Sequence, residues 1–120
     1  MLRSYRELHV WQKAVDLAVE SYRFSGVFPK TEIYGLTAQI RRAAVFVAAN
    51  IAEGYGRGSR KEYLQFLTTA QGSLNEVETH AIIAERLSYA TRAQREQLLS
   101  QTDQIGRMLG SLIRKLRVSV

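Results

Sequence analysis

Apolar residues recur along this chain at spacings of three and four, the period of a helix, and nowhere alternate as they do in a strand. In the first stretch Val10, Ala14, Leu17 and Ala18 share a side, with Trp11 and Val15 next to them and Lys13, Asp16, Glu20 and Arg23 opposite. That pattern predicts an amphipathic helix over about residues 5–24, opened by Ser4 and Glu7 as a capping box. Gly26, suited to a left-handed helix end, and Pro29, which forbids easy continuation, predict a reversal over residues 25–31.

A second helix is predicted to begin between Glu32 and Leu36 and to end at Gly54, along Leu36, Ile40, Ala43, Val47, Asn50 or Ile51 and Gly54. Ala43, Ala44, Ala48, Ala49 and Ala52 make much of it small, so neighbouring helices can approach closely and this should be the most buried element. After the interruption Gly54-Tyr55-Gly56-Arg57-Gly58-Ser59, a second box, Ser59 with Glu62, opens a third helix reaching about Tyr89. Its seam of Tyr63, Leu67, Ala70, Leu74, Val77, Ala81, Ala84 and Ser88 has a period of about 3.5, which favours left-handed packing. Thr91 with Gln94 opens a fourth helix that carries Leu98, Thr102, Ile105, Leu109, Leu112 and Leu116 in the same rhythm. The expected fold is therefore all-α, an antiparallel up-and-down four-helix bundle formed by the whole chain, 1–120, as one domain. Its expected core includes Ala43, Val47, Ile51, Phe66, Ala70, Leu74, Val77, Ile105, Leu109 and Leu112.

Composition supports this and narrows the function. With 120 residues, 46% hydrophobic and a single proline, the chain suits one helical core and not a disordered polymer. It has no cysteine, which excludes disulfides and thiolate metal sites, and no apolar run near the roughly 20 residues that span a bilayer. A cytoplasmic protein without membrane contact is the expectation. Seventeen Lys and Arg against eleven Asp and Glu give a formal net charge of +6, which draws in polyanions without conferring sequence preference.

Few residues suggest chemistry. The glycine-rich segment has neither the preceding strand nor the Gly-Lys-Ser/Thr ending of a nucleotide loop, so it reads as a helix-terminating turn. Two histidines are present, His9 and His80. Glu76 stands four residues before His80 where a di-iron bundle needs three, and no second copy exists, so no metal or other cofactor is expected. Glu53, Glu76 and Glu78 are assigned structural partners such as Arg41 or Arg42, and no set of nucleophile, base and orienting group emerges; the expectation is a protein that is not an enzyme. The basic residues are more informative. Arg57, Arg60 and Lys61 flank the glycine turn at the start of a helix, where free amides and the positive dipole end also favour phosphate. Arg107, Arg114 and Arg117 share a face of the last helix with Lys115 nearby. Arg57, Arg60, Lys61, Arg107 and Arg114 are the candidate phosphate contacts, with a solvated charged face as the competing interpretation.

Gln39-Ile40-Arg41-Arg42-Ala43-Ala44, Asn50-Ile51-Ala52-Glu53-Gly54 with Gly56-Arg57, Phe66-Leu67, and Gly72-Ser73-Leu74-Asn75-Glu76-Val77-Glu78 resemble the 23S rRNA intervening-sequence protein family. Val10-Trp11-Gln12-Lys13-Ala14 and Phe28-Pro29 with Glu32 extend the resemblance over nearly the whole chain, and Phe46 departs from it where a serine is common. The accessory variability proteins of diversity-generating retroelements look similar. The resemblance implies a bacterial four-helix bundle, a ring-shaped homopentamer and a basic surface holding RNA or DNA, without catalysis. It also leaves an alternative: an adaptor that binds protein, for example a reverse transcriptase.

Overall fold

The computed structural model describes residues 2–118 and has four helices: α1 (His9–Ser25), α2 (Leu36–Tyr55), α3 (Arg60–Arg86) and α4 (Arg92–Val118). Single 3₁₀ turns, Tyr5–Glu7 and Lys30–Glu32, precede α1 and α2. The described residues contain no strand and no helix long and apolar enough to cross a membrane. Of the expected 1–120 domain, positions 1, 119 and 120 lie outside the described residues.

Side-chain ties give the relative directions of the helices. Arg95 Nε donates to Glu85 at 2.7 Å and Thr102 Oγ1 to Glu78 at 2.6 Å, so α4 ascends as α3 descends. Arg41 on α2 reaches Ser25 at the end of α1, and Gly54 at the end of α2 meets Tyr63 and Phe66 near the start of α3. The molecule is a bundle 48 Å long and 23 by 20 Å across.

One hydrophobic cluster runs through it, contributed by all four helices, because each hides one stripe and leaves its charges outside. Among the helices α2 buries the most residues, Thr37, Ile40, Ala43, Ala44, Val47, Ala48, Ile51 and Gly54. Ala49 is exposed and Ala52 half-buried, so its small face is narrower than the alanine run suggests. The seam expected on α3 is buried from Leu67 to Ala84, and eight of the ten expected core residues are enclosed. Phe66 and Leu112 are only partly buried. Phe66 lies at the edge of the bundle with a guanidinium over its ring, whereas on α4 the buried positions Ile105, Leu109 and Ile113 step by four. A straight helix drifts from a strict 3.5 repeat, so by the last turns Ile113 has replaced Leu112 at the core.

The helix ends correct several expectations. Ser4 and Glu7 cap the 3₁₀ turn, Ser4 Oγ accepting from the Arg6 amide and Glu7 from the Arg3 amide; α1 begins only at His9, behind Leu8. Gly26 closes α1 in right-handed geometry, with φ −64°, because Phe28 folds straight onto Phe24 and no left-handed step is needed. Thr91 and Gln94 form the full reciprocal box at 3.1 and 2.8 Å. Ser59 caps α3 by accepting from the Glu62 amide at 3.1 Å. The start of α2 is capped by Glu32, whose carboxylate accepts from the Leu36 amide and from Tyr89 Oη, both at 3.0 Å. These bonds, the amide first, hold the Glu32 carboxyl below its ordinary range.

Candidate nucleic-acid interface

The α2–α3 connection depends on its glycines. At Gly54 a methyl group would sit 2.7 Å from Phe66 Cβ and 3.1 Å from the Tyr63 ring, so only glycine lets the two helices approach this closely. Gly58 has φ +80°, a left-handed step that releases the chain into the Ser59 cap. The reading of this segment as a helix-terminating turn agrees with both features.

The turn rests on aromatic rings. Tyr55 and Tyr63 meet edge to face with centroids 6.0 Å apart, and Arg57 lies over the Phe66 ring at 5.3 Å. Burial pushes the Tyr63 phenol up. Arg57 is committed to its neighbours: Nε donates to Glu62 at 3.0 Å and Nη1 to Glu53 at 3.2 Å. The bond and charge of Glu62, then Glu53, hold this guanidinium still more firmly protonated. Glu53 therefore pairs with Arg57, not with Arg41 or Arg42. Arg41 instead donates to Ser25 Oγ at 2.8 Å and lies over the Tyr22 ring, and Glu78 takes the Thr102 hydroxyl.

Arg60 and Lys61 point elsewhere. With Leu64, Gln65, Thr68 and Thr69 on α3 and Arg117 on α4 they line an open groove of about 940 Å³. The antiparallel pairing of α3 with α4 brings the last turn of one to the first turn of the other, and three cations from distant parts of the chain converge. Among the described residues no carboxylate lines this groove and none of the three cations forms an ion pair. Thr68 and Thr69 return their hydroxyl protons to the Leu64 and Gln65 carbonyls, leaving hydroxyl lone pairs and the Gln65 amide as neutral polar groups beside the cations.

The other two candidates lie outside the groove lining. Arg107 pairs with Asp103 one turn back on α4 at 2.9 Å, both well exposed. Arg114 folds along its own helix, its Nη1 3.3 Å from the place a Cβ on Gly110 would take. Helical spacing groups Arg117 with Arg107 and Arg114 but does not single it out as a phosphate contact. The groove floor has no sequence signal either, because Leu64 and Thr68 carry no chemistry of their own. The commitments of Arg57 and Arg107 did have a signal: Glu53 and Asp103 each stand four residues earlier, the spacing of helical ion pairs.

A sequence model of the 23S rRNA-intervening sequence proteins matches residues 6–111. The chain belongs to this family. Its fold is similar to the crystal structure of a protein of unknown function from the S23 ribosomal protein family of Bacteroides thetaiotaomicron VPI-5482, with a TM-score of 0.80 and 27% identity over 87% of this chain and 97% of that one. No curated protein matches. Family membership brings the four-helix fold and an rRNA setting in the family name.

Proposed function

We propose that this family member binds the phosphate backbone of structured RNA or DNA without catalysis, acting as a cytoplasmic homo-oligomer with little sequence preference. The observation that carries this reading is the groove in which Arg60, Lys61 and Arg117 converge with no lining carboxylate among the described residues. Forked and point-charge donors placed together suit phosphate, and no base-reading helix or loop accompanies them. Arg57 then serves to stiffen the turn, while Arg107 and Arg114 add to the long-range field. Oligomerisation is supported by apolar surface left open on separate sides: Val19, Tyr22 and Val27 on one, Ile82, Ile83 and Leu87 on another. Two different patches are what a cyclic ring of copies requires, and five copies are preferred on family resemblance. A ring would multiply one weak cationic groove into a multivalent one.

The test is a variant with Arg60, Lys61 and Arg117 all changed to Ala. Surface changes of this kind cost within about 0.5 kcal/mol each, so the protein should stay folded. Its nucleic-acid affinity should fall, and the slope of log K against log salt should flatten by about 0.7 to 0.9 for each phosphate no longer neutralised. Unchanged affinity and slope would remove the groove from consideration. Binding to a protein partner, such as a reverse transcriptase, through an apolar contact would tolerate salt and distinguishes the adaptor alternative.

A further inference from the structure

A second cleft, of about 400 Å³, lies between α2 and α3 away from the cationic groove. Tyr34, Gln39, Arg42, Phe46, Glu76 and His80 line it. The volume lies within the roughly 300 to 1,000 Å³ of small-ligand sites. Two aromatic rings stand open here, Tyr34 just before α2 at 94% exposure and Phe46 in the middle of α2 at 47%. Beside them are groups able to meet the edge of a heterocycle. Gln39 offers an amide, Glu76 an acceptor, and His80 one edge of an imidazole whose other nitrogen, Nδ1, is buried without a hydrogen-bond partner. Arg42 forms no ion pair among the described residues.

We infer that this cleft seats an unpaired nucleobase, stacked on Phe46 or Tyr34 with its edge toward Gln39 and His80 and its phosphate toward Arg42. The inference rests on the nucleic-acid reading above and sharpens it: the preferred ligand has looped or single-stranded nucleotides, not uniform duplex. Stacking on aromatic faces tolerates any base, which is consistent with low sequence preference. Burial also favours the neutral imidazole of His80. The cationic groove has no aromatic lining and suits backbone phosphates, so the two sites divide the work. Thr68 in one and His80 in the other are about 18 Å apart along α3, within reach of a few nucleotides. A second copy of the chain is the weaker occupant, because the cores of protein interfaces are depleted in charged residues and this cleft holds Arg42 and Glu76.

The test compares a single-stranded oligonucleotide, an abasic strand of equal length and charge, and an RNA duplex, on the parent protein and on a Tyr34→Ala, Phe46→Ala double variant. The parent should bind the base-bearing strand about tenfold or more tighter than the abasic one. The double variant should lose that preference while binding the abasic strand and the duplex as the parent does, and Phe46→Trp should keep it. Equal binding of base-bearing and abasic strands by the parent, with the duplex still bound, overturns the base site and leaves the phosphate groove standing. A parent protein that binds none of the three sinks both readings. A fall in sedimentation coefficient of the double variant would assign this face to contacts between copies and overturn the inference.

Discussion

The two ends of the bundle are built from similar parts and behave differently. At the end formed by Pro29, the start of α2 and the α3–α4 turn, aromatic rings close over the core: Phe28 packs edge to face on Phe24 at 5.7 Å and against Tyr89 at 5.6 Å. The carboxylates there have partners within the protein. Arg95 meets Glu85 in a half-buried pair, Arg23 meets Glu20, Arg92 meets Glu96, and Glu32 holds the Leu36 amide and the Tyr89 hydroxyl. Lys30, Arg41, Arg42 and Arg86 toward that end form no ion pair among the described residues, though Arg41 is held by Ser25 and the Tyr22 ring. At the glycine-turn end one guanidinium, Arg57, takes both nearby carboxylates, and Arg60, Lys61, Arg114 and Arg117 keep their charge for solvent. Net charge is thus a poor guide to a binding surface. What matters is which cations the fold has already neutralised, since a paired charge contributes little to an outward field.

Ranked by expected effect, the first way to test the contrast is to open the closed end. Phe28 is 7% exposed and belongs to the core, so Phe28→Ala should cost about 3 to 5 kcal/mol in a denaturant titration. A loss under about 1 kcal/mol would mean that this end is not sealed by its rings. The next change crowds the open end: Gly54→Ala forces α2 and α3 apart at a contact of 2.7 Å, and should cost about 1 to 3 kcal/mol in the same assay. Gly72→Ala, at an exposed position inside α3 where no atom crowds the added methyl, serves as the uncrowded reference and should stabilise by about 0.5 to 1 kcal/mol.

The caps come next. Thr91→Ala breaks a reciprocal box at the closed end and Ser59→Ala a cap at the open end, each worth about 1 kcal/mol by thermal melting. The smallest effect sharpens the electrostatic side of the comparison. Arg23→Ala with Arg92→Ala removes two cations from exposed pairs, changing stability by a few tenths of a kcal/mol. Filter binding of this double variant should give the parent's salt slope, in contrast to the groove variant; a matching loss would show that total charge, not the groove, governs attraction.

Helix content, the turns between helices and most of the core were legible because burial of a periodic stripe is a local property of sequence. The α3 seam follows its predicted period for several turns, and Ser59, Thr91 and Gln94 cap where their spacing says they should. Errors gathered at ends, where one residue's neighbours come from another helix. Ser4 and Glu7 make their expected kind of contact on a 3₁₀ turn instead of on α1, and Gly26 needs no left-handed step because the aromatic cluster beyond it receives the chain directly.

By itself the sequence determined that the chain is helical, where each helix presents its apolar side, that the protein is basic, and that Arg60 and Lys61 open a helix beside a glycine turn. Those properties depend on residues within a few turns of one another, and helical geometry relates them. Tertiary structure alone decided that Arg117 joins Arg60 and Lys61, and that the α2 ring Phe46 shares a cleft with His80 of α3. Such groupings bring together residues far apart in the chain. They arise from how antiparallel helices are laid side by side, and no local period encodes them.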